Sequence, residues 1–166
     1  SLIIRDKLVM TTTLDQIDRK ILGELQSNAE QSVQEIADKV GLSATPTARR
    51  IRNLRESGII KKQVALLDPV KLGLRITVFT FIRTSQHEEG WLEKFARGVN
   101  DIAEVVEFHR MSGDIDYLLK IMIADITDYD EVYKRLIKIV PLSDVSSSFA
   151  MENIKDTTAL PLTHLL

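Results

Sequence analysis

The segment SVQEIADKVGLSATPTARRIRNLRESG, residues 32–58, carries the pattern that decides how the first half of this chain folds. Ser32 and Glu35 stand three residues apart just before an apolar run. This is a capping box, in which each side chain accepts a free backbone N–H at the start of a helix. Gly41 favours the left-handed backbone that ends a helix. The spacing therefore predicts a short helix from Val33 to Val40.

A second helix is predicted directly after a tight turn. Ser43 can cap it, or Thr45 can do so with Pro46 in the first turn, where the missing N–H of proline costs nothing. Gly58 ends it. Two short helices joined in this way are typical of a helix-turn-helix. The positions expected to face the domain interior are Ala48, Ile51 and Leu54.

Outward from this motif, a third helix precedes it and an extended segment follows it. Apolar residues recur at spacings of three and four between Leu14 and Leu25, and either Thr13 or Asp15 can begin that helix. Asn28 lies where it ends. The segment 59–67 alternates apolar and polar residues, so we expect a β-like wing or an outgoing strand.

The rest of the chain alternates strand-like and helix-like segments. The predicted strands cover residues 75–84, 103–111, 117–124 and 143–154, and the predicted helices cover 88–99 and 128–140, with Thr127 and Asp130 resembling a capping box. The order is β-α-β-β-α-β, a ferredoxin-like antiparallel sheet with both helices on one face. The other face needs a cover, most simply a second subunit.

The fold class is therefore α+β, a winged helix-turn-helix followed by a ferredoxin-like domain. We divide the chain into a tail at 1–12, a winged helix-turn-helix domain at 13–67, a hinge at 68–74 and a ferredoxin-like domain at 75–166.

Composition and motifs exclude several classes of protein. The 166 residues are 44% hydrophobic and 28% charged, as in globular proteins. The chain has no cysteine, so it has no disulfide scaffold, thiolate zinc site or cysteine nucleophile. Its three histidines lack metal-ligand spacing, and it contains no phosphate-binding glycine loop and no nucleophile elbow. No apolar run is long enough to span a membrane. We expect no enzyme, no metal, no cofactor and no membrane contact.

Positive charge is concentrated around the second helix of the motif. Residues 43–62 contain six basic residues and one acidic residue. Such a cluster is either a solvated helix face or a site for a polyanion, and its place on a helix-turn-helix favours double-stranded DNA. Arg50, Arg55, Lys61 and Lys62 are assigned to phosphates. The full set of candidate DNA-contacting residues is Ser43, Ala44, Thr45, Thr47, Arg49, Arg50, Arg52, Asn53, Arg55, Lys61 and Lys62.

Three stretches resemble one family. Residues 14–73 look like the winged helix-turn-helix of the Lrp/AsnC (feast/famine) transcriptional regulators, although Ala44 and Thr47 replace residues common there. SGDIDYLL, residues 112–119, is similar to the signature of that family's amino-acid-sensing domain, also called the RAM domain. SSFAMENIKDTTALPL, residues 147–162, resembles the leucine-responsive branch.

The resemblance implies a cytoplasmic, nucleoid-associated homo-oligomer, a dimer assembled further into an octamer of four dimers. It also implies a free amino acid bound between dimers, with leucine or methionine favoured. Asp114 or Asp116 would pair with its ammonium group and loop N–H groups with its carboxylate. Without the resemblance, the pattern Asp114-Ile115-Asp116 is better explained as an ordinary hairpin turn. The transferred effector positions are Gly113, Asp114, Asp116, Tyr117, Ser147, Ser148, Phe149 and Ala150.

The sequence thus predicts a sequence-specific, amino-acid-responsive transcriptional regulator. The alternative is an architectural, nucleoid-type DNA-binding protein that needs no effector.

Overall fold

The computed structural model describes residues 13–85 and 88–165; the predicted tail at 1–12 lies outside them. The chain forms two compact units. The first runs up to Ala65 and also includes the segment from Lys155 onward, and the second is Leu66–Ile154. The sequence-based division placed everything after residue 75 in one domain, so the C-terminal segment is the main difference.

The first unit contains three helices, α1 (Gln16–Ser27), α2 (Val33–Val40) and α3 (Ala44–Glu56). Asp15 caps α1 and forms a reciprocal capping box with Asp18. The predicted capping box at the start of α2 is confirmed, as is the left-handed Gly41 at its end, with φ of 76°. Local hydrogen bonds within one turn therefore set the ends of α1 and α2.

Helix α3 is rotated slightly from the predicted orientation. Ser43 precedes it, but its side chain makes no capping hydrogen bond. Thr47 is fully buried, and its hydroxyl donates to the Ser43 carbonyl at 3.0 Å. Ala48, expected in the core, is only half-buried. The apolar core of this unit consists of Ile21, Leu22, Ile36, Val40, Ile51 and Leu54.

The segment 59–67 forms no strand within this chain, so the strand predicted there, as part of a wing or as an outgoing strand, is absent. Among the described residues, strands occur only in the second unit. The segment is tied instead by Ile60, which donates its N–H to the Leu54 carbonyl, and by the Gln63 amide, which donates to the Ala29 carbonyl at 3.1 Å. A lone extended segment without a neighbouring strand cannot form a ladder.

The second unit confirms the predicted β-α-β-β-α-β order. Its elements are β1 (Ile76–Arg83), α4 (Glu89–Asn100), β2 (Val105–Arg110), β3 (Tyr117–Ile123), α5 (Ile126–Ile139) and β4 (Asp144–Phe149). The strands lie in the order β2-β3-β1-β4, and every neighbouring pair is antiparallel. Strand β4 is shorter than predicted. Asp125 and Asp128 form the capping box of α5, not Thr127 and Asp130.

The sheet has one covered face and one open face. Val78, Ile82, Leu119 and Ile121 are fully buried on the side that forms the core with α4 and α5. The residues between them alternate to the other side, where Phe79, Phe81, Leu118 and Met122 are half-buried. None of the helices among the described residues is long and apolar enough to cross a membrane.

Candidate DNA-binding and effector sites

Helix α3 presents one exposed polar stripe opposite its buried side. Thr45, Arg49, Arg52 and Asn53 are exposed, at spacings that place them on one side of the helix. The buried residues of the same helix are Thr47, Ile51 and Leu54. Arginine and asparagine can form paired hydrogen bonds with guanine and adenine edges, and threonine can bond to a base or a phosphate. The stripe therefore has the chemistry needed to read a major groove.

Thr47 does not lie on that stripe. The sequence analysis counted it among the candidate DNA-contacting residues, but its side chain is fully buried and its hydroxyl is already bonded within the helix. Thr47 directly precedes Ala48 in the chain, and Thr47 is buried where Ala48 was expected to be. Thr47 thus helps to pack α3 against its unit. At the beginning of the helix, Ser43 is exposed and Ala44 is half-buried.

Arg50 is bound within the protein. Its guanidinium group donates to Asp15 at 2.7 Å and to Asp18 at 2.8 Å. These carboxylates also form the capping box of α1. The pKa of Asp15 is lowered, first by the Asp18 backbone N–H and then by Arg50, and the two carboxylates raise the pKa of Arg50. Arg50 therefore joins α3 to the beginning of α1. The sequence analysis had instead assigned its side chain to contact with DNA phosphates.

The remaining basic residues lie on the stripe or after it along the chain. Arg49, Arg52, Lys61 and Lys62 are exposed and make no ion pair among the described residues. Arg55 is exposed and donates to the Gln63 side chain at 3.3 Å. Because Gln63 in turn bonds to the α1–α2 turn, this contact holds the segment after α3 against the unit.

The loop 112–116 is a turn between β2 and β3 that is held by hydrogen bonds to the end of β1. Gly113 has φ of 103°, a conformation that favours glycine. Arg83, at the end of β1, donates to the Asp114 carbonyl at 2.8 Å and to the Asp144 carboxylate at 3.3 Å. Sequence reasoning did not find Arg83, because its partner is a backbone carbonyl 31 residues away and leaves no side-chain signal.

The two loop carboxylates have different surroundings. Asp116 is half-buried and accepts the Thr84 backbone N–H at 2.8 Å, so it holds the loop to the end of β1. Asp114 is exposed, and its carboxylate has no bonded partner among the described residues. Of the two, Asp114 is the carboxylate that is open to a ligand ammonium group.

Tyr117 belongs to the core. Its side chain is only 4% exposed, and its ring centroid lies within 6 Å of those of Trp91, Phe95 and Phe108. Burial raises the pKa of its hydroxyl. The transferred effector role of Tyr117 therefore does not fit its position, since an incoming ligand would have to open an aromatic cluster.

The transferred strand residues lie on two different faces. Ser147 faces α5, where its hydroxyl bonds to those of Thr80 and Tyr129, and Phe149 packs edge-on against Tyr129. Ser148 and Ala150 are exposed. Ala150 donates its N–H to the Thr77 carbonyl, which extends the β1–β4 pairing by one residue.

Within one subunit these residues do not meet the loop. Phe149 pairs with Val78, whereas Asp116 donates its N–H to the Ile82 carbonyl. Four residues along a strand span about 13 Å. Asp144 is joined to the loop through Arg83, whereas no hydrogen bond links residues 147–150 to the loop among the described residues.

The remaining clusters are surface features. Glu107 on the open face accepts from Lys120 at 3.3 Å and lies 3.0 Å from His109 Nε2, and its pKa is lowered by His109 first and then by Lys120. No group of three metal-ligating side chains occurs in the part of the chain that the structure describes. An open groove of about 590 Å³ lies between α4 and α5, lined by charges of both signs.

A helix-turn-helix with an exposed basic stripe, followed by a separate β-α-β-β-α-β unit, is the arrangement of a two-part DNA-binding regulator. Family models agree. One described as Lrp/AsnC ligand binding domain matches residues 77–160, and one described as winged helix-turn-helix DNA-binding matches residues 14–61.

Known proteins resemble the chain over most of its length. The glutamate uptake regulatory protein of Zymomonas mobilis is 50% identical over 153 residues, which cover 92% of this chain and 93% of that protein. A crystal structure of an AsnC family transcriptional regulator from Agrobacterium tumefaciens has a TM-score of 0.89 and 52% identity, covering 92% of this chain and all of that one. A crystal structure of a Neisseria meningitidis transcriptional regulator in complex with L-Met has a TM-score of 0.88 and 35% identity, covering 93% and 100%.

The chain belongs to the Lrp/AsnC family. It is a transcriptional regulator with a DNA-binding helix-turn-helix and a ligand-binding domain. This confirms the predicted family and fold class, and the relatives confirm that it is a regulator and not an enzyme.

Proposed function

We propose that this chain is a sequence-specific regulator whose DNA affinity responds to an amino acid, with methionine first and leucine second. The single observation that carries the DNA part is the stripe of Thr45, Arg49, Arg52 and Asn53, opposite the buried side of α3. Arg55, Lys61 and Lys62 would add phosphate contacts at its flank. Since DNA is the partner, the protein would act in the cytoplasm, associated with the nucleoid.

The effector part is supported by the loop 112–116 and by the Neisseria relative, whose structure contains L-Met. The exposed Asp114 carboxylate suits an ammonium group, and a charge-assisted hydrogen bond of this kind is about twice as strong as a neutral one. Asp116 would position the loop rather than touch the ligand, because it already accepts the Thr84 N–H.

An effector site between subunits would explain why the transferred residues are separated within one chain. Residues 147–150 of one copy would have to approach the loop of another copy to complete the site. The half-buried apolar side chains on the open face of the sheet support pairing of two copies into a dimer. Assembly of four such dimers into an octamer is part of the proposal. Sedimentation at several concentrations, with and without methionine, would measure the assembly state.

Thermal unfolding of the full chain against each of the twenty amino acids at millimolar concentration tests the effector. A ligand that binds the folded state stabilises it by RT ln(1 + [L]/Kd), about 2.7 kcal/mol at a hundredfold excess over Kd. We expect methionine, and more weakly leucine, to raise the Tm. We expect Asp114→Asn to lose that rise, whereas Asp101→Asn, another exposed carboxylate, keeps it. Absence of any shift in the unchanged chain would overturn the effector proposal.

DNA selection tests the other half. The full chain should enrich a common motif from random duplexes, and Arg52→Ala and Asn53→Ala should relax the preference at individual base pairs by about 1–3 kcal/mol. Equal affinity for all duplexes would contradict sequence-specific control. It would identify the chain as an architectural DNA-binding protein instead.

A further inference from the structure

The C-terminal segment, residues 155–165, lies in the DNA-binding unit although it follows the last strand of the ligand-binding domain. We propose that this segment is a docking strap. It completes the helix-turn-helix core and connects it directly to β4, so that changes at β4 reach the DNA-binding unit. The docking stands on geometry alone, and the transmission of an effector signal rests on the proposed function.

The strap is held by a reciprocal pair of hydrogen bonds. The Gln26 side-chain amide donates to the Leu160 carbonyl at 3.0 Å, and the Leu160 N–H donates to Gln26 Oε1 at 2.6 Å. One side chain of α1 therefore satisfies both backbone groups of one strap residue, as a neighbouring strand would. This pairing fixes the position of the segment along α1.

Two residues further on, Leu162 packs into the core of the unit. It contacts the same apolar cluster as Leu14, Ile17, Leu25 and Ile60, and it is half-buried. Leu160, in contrast, leaves its side chain 71% exposed. The strap thus presents one apolar side chain to the unit and one to solvent, which provides a matched pair for experiment.

The strap also has internal order. Thr157 Oγ1 accepts the Ala159 N–H at 3.2 Å, and Leu165 donates its N–H to the Leu162 carbonyl at 3.1 Å. Pro161 lies between the two anchoring residues and restricts the backbone of the free segment. A restricted segment loses less conformational entropy on docking.

The link to the ligand-binding domain is short. Ala150 still pairs with β1 through its N–H, and the docked segment begins at Lys155. The four residues between them span at most about 14 Å when fully extended. Residues 147–150 are effector positions in the proposed function. A ligand bound there would therefore act a few residues before the strap begins at Lys155.

Hydrogen exchange of the full chain tests the docking. We expect Leu162→Ala, Gln26→Ala and truncation after Ile154 each to accelerate exchange of the α1 amides about tenfold, because loss of the strap makes local opening more frequent. The amides of β1 and β3 should be unchanged. The control variant, Leu160→Ala, should match the unchanged chain, since its backbone bonds and the core remain. Equal α1 exchange in Leu162→Ala, the truncated chain and the unchanged chain would overturn the proposal.

DNA binding tests its consequence. We expect Leu162→Ala to weaken affinity about tenfold without changing the slope of log K against log salt, because the strap adds no phosphate contact. Methionine should change the DNA affinity of the unchanged chain and of Leu160→Ala, but not that of Leu162→Ala, in which the methionine-induced rise in Tm persists. A full methionine response in Leu162→Ala would refute transmission through the strap. If methionine raises the Tm of no variant, the effector proposal fails, and the exchange result still decides the docking.

Discussion

Replacing Arg50 by alanine separates two roles that this residue could have. If Arg50 contacts DNA phosphates, its loss weakens binding to every sequence and lowers the salt dependence of binding. If it joins α3 to α1, its loss destabilises the DNA-binding unit and leaves the salt dependence unchanged. Its hydrogen bonds to Asp15 and Asp18 favour the second outcome.

The expected size of the effect follows from the exposure of the three side chains. Arg50 is 30% exposed, Asp15 is 50% exposed and Asp18 is 15% exposed. Exposed ion pairs contribute about 0.2–1 kcal/mol each. Because the pair with Asp18 is the better shielded, we place the loss in Arg50→Ala at about 1 kcal/mol for both pairs together. For a unit of this size, that corresponds to a fall in Tm of about 4–8 °C.

Two measurements on the same variants decide between the roles. Calorimetry of the full chain gives the unfolding transition of the DNA-binding unit, and DNA affinity at several salt concentrations gives the slope. Lys62→Ala is the control, because Lys62 is assigned to a phosphate contact, is exposed and makes no ion pair among the described residues. It should lower the slope by about 0.9 and leave the Tm unchanged.

The reasoning would be refuted if Arg50→Ala kept the Tm and lowered the slope by the same 0.9 as Lys62→Ala. A double-mutant cycle with Asp18→Asn adds an independent check. Residues in direct contact should show a coupling energy of about 0.5 kcal/mol or more, whereas Arg52→Ala and Asp18→Asn should be additive.

Three further predictions concern single sites. Gly98→Ala should destabilise the second unit by about 1–3 kcal/mol, because a Cβ there would lie 2.5 Å from Ile139 Cγ2. Calorimetry should show that adding Ile139→Ala restores part of the lost stability. A normal Tm for Gly98→Ala alone would contradict the prediction. Asp116→Ala should lower the Tm without any ligand by loss of the bond to the Thr84 N–H, about 1 kcal/mol after allowance for exposure, and an unchanged Tm would argue against its positioning role. Folding lowers the pKa of Asp15, so the stabilising effect of its carboxylate is complete above the ordinary pKa of 3.8 and is lost as the pH falls through the lowered pKa. The Tm difference between the unchanged chain and Asp15→Asn should therefore shrink in acid. A difference that grew in acid would show that the assigned sign is wrong.

Local patterns predicted most of the secondary structure. The capping box of Ser32 and Glu35 and the left-handed Gly41 depend on atoms within one turn, so the residues alone determine them. The order of strands and helices in the second unit is also local, because periods of 2 and 3.6 distinguish the two structures. The segment 59–67 reads as a strand for the same reason, yet a strand exists only where a partner lies beside it.

The sites were predictable as regions but not residue by residue. The basic cluster lies on α3 and directly after it, and the exposed stripe of α3 contains Thr45, Arg49, Arg52 and Asn53 as expected. A rotation of one position decided that Thr47 is buried and Ala48 is not. Tyr117 follows the signature loop directly, but the alternation of β3 turns its ring into the core.

The sequence by itself determined the helices, the capping box of α2, the order of the elements and the family. Only the tertiary structure decided which charges are already paired. Arg50 meets Asp15 and Asp18 more than 30 residues away, and Gln26 meets Leu160 at a separation of 134 residues. The physical reason is range: caps and periodicity act within a few residues, whereas an ion pair or a docked segment depends on how distant parts of the chain fold against each other.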